Sequence, residues 1–295
     1  MANLQNDETS HDKVDMGVDV TIDGIRVQIE GTGVDTILMV HGWPDTLALW
    51  DRSVAALKGS FRCARFTLPG YDKTQAPRPT SVADMTALIA KIVEAISPTR
   101  PVVLMCHDWG CFFGYEFVAR HPQKVQRLVG VDIGDHNRGA YVNSLRFGQK
   151  MMVLGYQMWL AIAWKVGENL SGSLGTRMTR WMARSIGFRG PPGTTAAVEA
   201  VSWQMCYPYA MRWMGLKGGF KGIAPFNITH PTLFIYGQRK PFMFHSPGFL
   251  QQLAAHPGSE GHGLQTGHWV MVQEPEEFNR LVIDWLAKPL AVRLI

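Results

Sequence analysis

The 295-residue sequence predicts an α/β fold: a mostly parallel, twisted sheet flanked by helices, with a helical segment inserted into it. Three observations predict it. Solid apolar runs at 36–40 (TILMV), 101–105 (PVVLM), 128–131 (LVGV) and 232–236 (TLFIY) have the character of strands buried on both faces. Helix-period segments lie between them, near 47–57, 82–96 and 112–120, and alternating β and α elements build parallel sheets. Between about Asp135 and Pro225 the alternation stops, and helix-like text broken by Gly and Pro, notably at Gly187 to Gly193, replaces it.

In chain order, residues 18–30 (VDVTIDGIRVQIE) alternate apolar and polar around Asp23-Gly24, a pair that favours a tight turn, so the chain opens with an antiparallel hairpin. Gly31-Thr32-Gly33 begins like a dinucleotide fingerprint, but the third Gly and the following helix are missing, and it reads as a loop. The expected division is a first core part at 1–134, a helical lid at 135–224 and a second core part at 225–295. Within the lid, Met151 to Trp164 is free of charge between Lys150 and Lys165, which is shorter than the roughly 20 residues a membrane span needs. It reads as a buried or lid helix. An amphipathic helix, FNRLVIDWL, closes the pattern.

A chain 46% apolar and 18% charged is neither disordered nor fibrous. Its net charge of +5 comes without a run of like charges, so no nucleic-acid arm is expected. The lid holds 8 of the 15 Met and 5 of the 10 Trp, and its eleven Lys and Arg against three acids give it +8. Such a surface is either a solvated basic face or a site of peripheral contact with anionic membranes. The four cysteines lack zinc or disulfide-scaffold spacing and read as free thiols in a reducing compartment. The polar stretch from Met1 to Val20 lacks the apolar run of a signal peptide, and a cytoplasmic location is expected. Oligomeric state is left open.

Directly after PVVLM comes Cys106-His107-Asp108-Trp109-Gly110-Cys111, followed by a helix. Small residues flanking the centre allow a sharp strand-to-helix turn that lifts one side chain, Asp108, above the sheet edge. A carboxylate at a helix N-terminus stays ionised and available as a nucleophile, against the plainer role of capping that helix. His41-Gly42-Trp43-Pro44-Asp45 follows the first apolar strand, where a Gly turn can aim the Trp43 N–H at the same place. With the Trp109 N–H it would form an oxyanion hole. Gly267-His268-Trp269 supplies a histidine late in the chain, where this architecture needs a base.

HGWP at 41–44, HDWG at 107–110 and GHW at 267–269, in that order, resemble the α/β-hydrolase family over nearly the whole chain. Within it they resemble the Asp-nucleophile branch of epoxide hydrolases and haloalkane dehalogenases. The resemblance implies Asp108 as nucleophile and His268 as base. In most members the acid follows the strand matching TLFIYG, but here Gly237-Gln238-Arg239-Lys240-Pro241 has Lys240 in its place. Some dehalogenase relatives put the acid after the preceding core strand, which assigns it to Asp132, with Asp135 in reserve.

Epoxide hydrolases of this kind use two lid tyrosines to donate to the oxirane oxygen. Tyr156, followed by Gln157, matches the first. YPYAMRW offers Tyr209 or Tyr207 for the second, and the spacing to Met211-Arg212-Trp213 favours Tyr209. Packed core aromatics are the plainer reading of both. Dehalogenases often carry an Asn where Trp43 stands, whereas Trp109 suits both branches. The implied activity is conversion of a small apolar epoxide to a vicinal diol through an Asp108 ester, needing no metal or organic cofactor. The alternatives are a haloalkane dehalogenase and a non-catalytic binding protein on the same fold, the latter suggested by Lys240.

Overall fold

In the computed structural model of the chain, residues 17–136, 138–188 and 196–289 are described. Most of the N-terminal stretch read for export and residues 189–193 of the Gly/Pro break lie outside them. The hairpin forms from β1 (Val18–Ile22) and β2 (Ile25–Glu30). Its turn residues Asp23 and Gly24 have φ of 49° and 77°, the paired left-handed geometry that a two-residue turn requires.

Six further strands follow: β3 (Thr36–Val40), β4 (Arg62–Phe66), β5 (Val102–His107), β6 (Val125–Val131), β7 (Thr232–Gly237) and β8 (Glu260–Leu264). They pair in the order β1-β2-β4-β3-β5-β6-β7-β8. Pairing is antiparallel from β1 through β2 to β4 and parallel across the rest. Every residue of β3 and β5 is buried, because helices cover both faces at the centre of a parallel sheet.

Two strands escape the apolar pattern. In β4 (RCARF), Arg65 lies among buried neighbours and is held by Glu30 at 2.9 Å and by Asp51. At the sheet edge, β8 (EGHGL) pairs on one side only, and its Gly261 leaves room for Leu253.

Helices α1 (Asp51–Leu57), α2 (Val82–Ile96) and α3 (Trp109–Arg120) connect the first strands. The Ser81 Oγ caps α2 by accepting from the Asp84 N–H at 3.1 Å, and Met85, Ile89, Ile92 and Ile96 bury one side of it. Between β6 and β7 come α4 (Gly139–Ser144), α5 (Phe147–Asn169), α6 (Gly172–Ser185), α7 (Ala196–Ala200) and α8 (Tyr207–Met214). The charge-free stretch from Met151 to Trp164 lies inside α5, and no helix among the described residues is long and apolar enough to cross a membrane. After β7, α9 (Pro247–Ala255), α10 (Val270–Gln273) and α11 (Pro275–Ala287) complete the layers.

Gly110 lets α3 approach β3. A Cβ there would stand 2.2 Å from the Val40 carbonyl oxygen and 2.6 Å from that of His41. Backbone cannot retreat cheaply, so Gly110→Ala is expected to destabilise the fold by about 1–3 kcal/mol or more, measured by urea unfolding. Unchanged stability would contradict this packing.

Candidate active site

The carboxyl ends of β3, β5, β6, β7 and β8 deliver His41, Asp108, Asp132, Lys240 and His268 to one side of the sheet. Asp108 sits at the junction of β5 and α3 with φ 52° and ψ −123°, and its side chain makes no capping bond to α3. Such left-handed geometry costs a non-glycine residue and persists where the surroundings enforce it. The constraint turns the carboxylate outward. Oδ1 accepts from the Trp43 N–H at 2.6 Å, and Oδ2 lies 3.4 Å from His268 Nε2.

Gly42 makes that approach possible, since a Cβ would fall 2.4 Å from both Asp108 Oδ1 and the Trp109 nitrogen. His41 fixes the same turn. Its Nε2 accepts from the Leu68 N–H at 2.9 Å, so Nδ1 carries the proton and donates to the Gly42 carbonyl at 2.9 Å. Burial holds this imidazole neutral, lowering its pKa to about 4.

His268 donates from Nδ1 to Asp132 Oδ2 at 2.5 Å, and the His107 ring donates from Nε2 to the His268 carbonyl at 3.1 Å. Asp132 is fully buried, with φ 67°. Its Oδ1 accepts from the Gly237 N–H at 3.0 Å and from Lys240 Nζ. Burial opposes its charge, but Lys240 and His268 together hold its carboxyl well below the usual range. For His268 burial alone would favour the neutral ring. The Asp132 and Asp108 carboxylates outweigh it and raise the pKa to about 9. Burial likewise opposes the Asp108 charge, and His268, His107 and the Trp43 N–H lower its pKa nonetheless.

Asp135 faces elsewhere. Its two oxygens accept from the Ser246 N–H at 2.7 Å and the Ser246 hydroxyl at 2.6 Å, at the start of α9. Lys240, after β7, pairs with Asp132, which follows β6.

Tyr156 on α5 and Tyr209 on α8 line one cavity with Asp108 and Trp109, their rings edge-on at 6.2 Å. Tyr209 also meets Trp43 at 5.7 Å and Trp109 at 5.1 Å. Gln157 Nε2 donates to the Tyr156 oxygen at 3.1 Å, which leaves the phenol proton to be donated elsewhere. Tyr207 does not line this cavity. It is buried against Tyr71 and Trp164 at 6.0 and 6.2 Å.

Other residues at the site received no role from the sequence. Asp45 accepts from Trp269 Nε1 at 2.9 Å, and burial pushes its carboxyl up to about 7. Tyr141, His136 and Arg212 line the cavity beside the apolar walls of Phe112, Val153 and Phe220.

Residues 35–275 match the alpha/beta hydrolase fold family, and the chain belongs to it. In sequence it is similar to Epoxide hydrolase 1 of Caenorhabditis elegans, 22% identical over 285 residues that cover 90% of this chain and 68% of the relative. The Epoxide hydrolase of Caballeronia sordidicola is 23% identical over 309 residues, covering 91% and 92%. In fold it resembles the crystal structure of the Bacillus megaterium epoxide hydrolase in complex with an inhibitor, with a TM-score of 0.67 at 18% identity, covering 92% of this chain and 100% of that one.

Removing Lys240 would leave Asp132 a buried charge with one partner fewer, so Lys240→Met is expected to cost about 3–5 kcal/mol of stability. It also removes a cation from beside the imidazolium, so the His268 pKa should rise further above its present value. Chemical denaturation and an imidazole NMR titration measure the two effects. Unchanged stability, or a His268 pKa that falls, would contradict the assignment.

Proposed function

We propose that the chain is an epoxide hydrolase that opens an apolar epoxide to a vicinal diol through a covalent ester on Asp108. The observation that carries this reading is one cavity in which two phenols, Tyr156 and Tyr209, stand with a carboxylate held between the Trp43 N–H and His268. In this reading the helices between residues 135 and 224 are a lid on a core formed by 1–134 and 225–295.

Asp108 Oδ2 attacks an oxirane carbon and the ring C–O bond breaks. The released oxygen takes a proton from Tyr156 or Tyr209. His268 then deprotonates a water through Nε2, oriented by Asp132, and the water oxygen bonds to the Asp108 carboxyl carbon. Negative charge develops on Oδ1, where the Trp43 and Trp109 N–H groups stabilise it. The bond between that carbon and Oδ2 then breaks, the departing oxygen takes from His268 the proton it drew from water, and the diol leaves. The new carboxyl of Asp108 returns a proton to His268 and restores the resting pair.

The charges fit this order of events. Resting His268, between two carboxylates, carries a proton near neutral pH. Ring opening neutralises Asp108 by alkylation, which lowers the His268 pKa; the imidazolium gives up its proton, the tyrosinate regains one, and the imidazole is left as a base. Ester hydrolysis should therefore quicken as pH rises through the His268 pKa of the alkylated enzyme, which lies below 9, its resting value.

Diol formation from styrene oxide tests the reading. Asp108→Ala should abolish it, and His268→Gln should accumulate a protein adduct heavier by one epoxide. Tyr156→Phe and Tyr209→Phe should each lower kcat/KM about 100-fold. In the wild type more ester should accumulate at pH 6 than at pH 8.5. Bromide release from bromoalkanes without diol would select the dehalogenase alternative, and binding with neither product would select the non-catalytic one.

Phe147, Met151, Met152 and Trp181 are exposed on α5 and α6, alongside Arg146, Lys150, Arg177 and Arg184. Peripheral contact with anionic membranes through this surface belongs to the same proposal. Co-sedimentation with vesicles should rise with anionic lipid and fall with salt, and insensitivity to both would contradict it.

A further inference from the structure

The cavity above Asp108 has a charged end that the reaction described above leaves unused. Arg212, on the same helix as Tyr209 and exposed to solvent, brings its guanidinium to the open edge of the cavity, over the rings of Trp213 at 5.4 Å and Phe220 at 5.8 Å. Among the described residues it has no carboxylate partner; partial burial opposes its charge, and the phenols of Tyr156 and Tyr141 and the His136 ring act on it through space. Tyr141, on α4, lines the same cavity at 5% exposure, and its hydroxyl is buried without a hydrogen-bond partner.

The buried, unpaired hydroxyl of Tyr141 needs a partner, and the exposed guanidinium, which water solvates in the free protein, adds a positive charge beside it; a bound anion engages both. His136 also lines this end, but its Nδ1–H donates to the Gly134 carbonyl at 3.2 Å. Its Nε2 therefore offers a lone pair and is not a third donor. One cation and one hydroxyl match a single negative charge better than a phosphate dianion. The planar fork of Arg212 suits a carboxylate. Toward Asp108 the wall turns apolar, with Phe220 stacked on Phe112 at 4.5 Å and Trp109 beyond it at 5.9 Å. The ligand that fits has an anionic end, an apolar middle and a reactive end.

We propose that the apolar epoxide also carries a carboxylate at its far end, held by Arg212 and Tyr141 while the oxirane reaches Asp108. The chemistry at the reactive end rests on the epoxide-hydrolase reading. The anion site rests on Arg212 and Tyr141, so the two are tested separately.

Isothermal titration with octanoate and with 1-octanol reads the anion site without any turnover. Wild type should bind octanoate at least about tenfold more tightly than octanol, and Arg212→Gln should erase the difference. Tyr141→Phe and Arg212→Lys should each reduce it in part, and they give the same readout should Arg212→Gln fail to fold by circular dichroism. Equal binding of the two ligands by wild type, or an octanoate preference untouched in folded Arg212→Gln, would overturn the site. For turnover, kcat/KM on 10,11-epoxyundecanoate should exceed that on its methyl ester by about tenfold or more in wild type, and the ratio should fall toward one in Arg212→Gln. Selective octanoate binding with no diol from any epoxide would sink the hydrolase reading and keep the anion site. Diol formed equally from acid and ester, with no octanoate preference, would do the reverse.

Discussion

A row of charges of alternating sign runs through the site: Lys240, Asp132, His268 and Asp108, with 2.5 Å between His268 and Asp132 and 3.4 Å between His268 and Asp108. Burial disfavours each charge alone, and each is tolerated because its neighbour opposes it. The row ties five features to one another. Lys240 steadies the Asp132 carboxylate, Asp132 orients His268, and His268 shares Asp108 with the Trp43 N–H. A change at the Asp108 end must therefore be felt at His268, which is the coupling that a two-step reaction through an ester requires.

The sheet supplies the row. Because β6 lies between β5 and β7, with Val131 beside both His107 and Ile235, the residues that follow these strands meet above one edge. Two departures from ordinary backbone, Asp108 at φ 52° and Asp132 at φ 67°, aim their carboxylates at His268 from opposite sides. Glycines at 42 and 110 remove the atoms that would block the approach. The strain at these turns is sustained by the packing around them.

The central strands and α2 were legible because a strand covered on both faces must be apolar throughout and an amphipathic helix must repeat every 3.6 residues. The strands β4 and β8 were not, since Arg65 satisfies its charge through Glu30 and Asp51, and an edge strand can carry glycine. In the sequence Lys240 reads as a missing acid. In space it is the counter-charge of Asp132, a relation set by strand adjacency and carried by no local pattern. Helix geometry lets only one of Tyr207 and Tyr209 face the cavity, because residues two apart point about 200° from one another, and Tyr209 is the one that lines it. Tyr141 carried no signal at all, and Arg212 served only as a spacing marker beside Tyr209, for each is a lone residue whose meaning depends on what surrounds it.

Oxygen transfer from Asp108 to product tests the central claim most directly. With enzyme in excess over styrene oxide in H2-18O, a single turnover should yield diol free of the label and place 18O in the Asp108 peptide, because the oxygen that leaves with the product comes from the carboxylate. Label in the diol at the first turnover, with Asp108 unlabelled, would mean that water attacks the epoxide directly and that Asp108 is not the nucleophile.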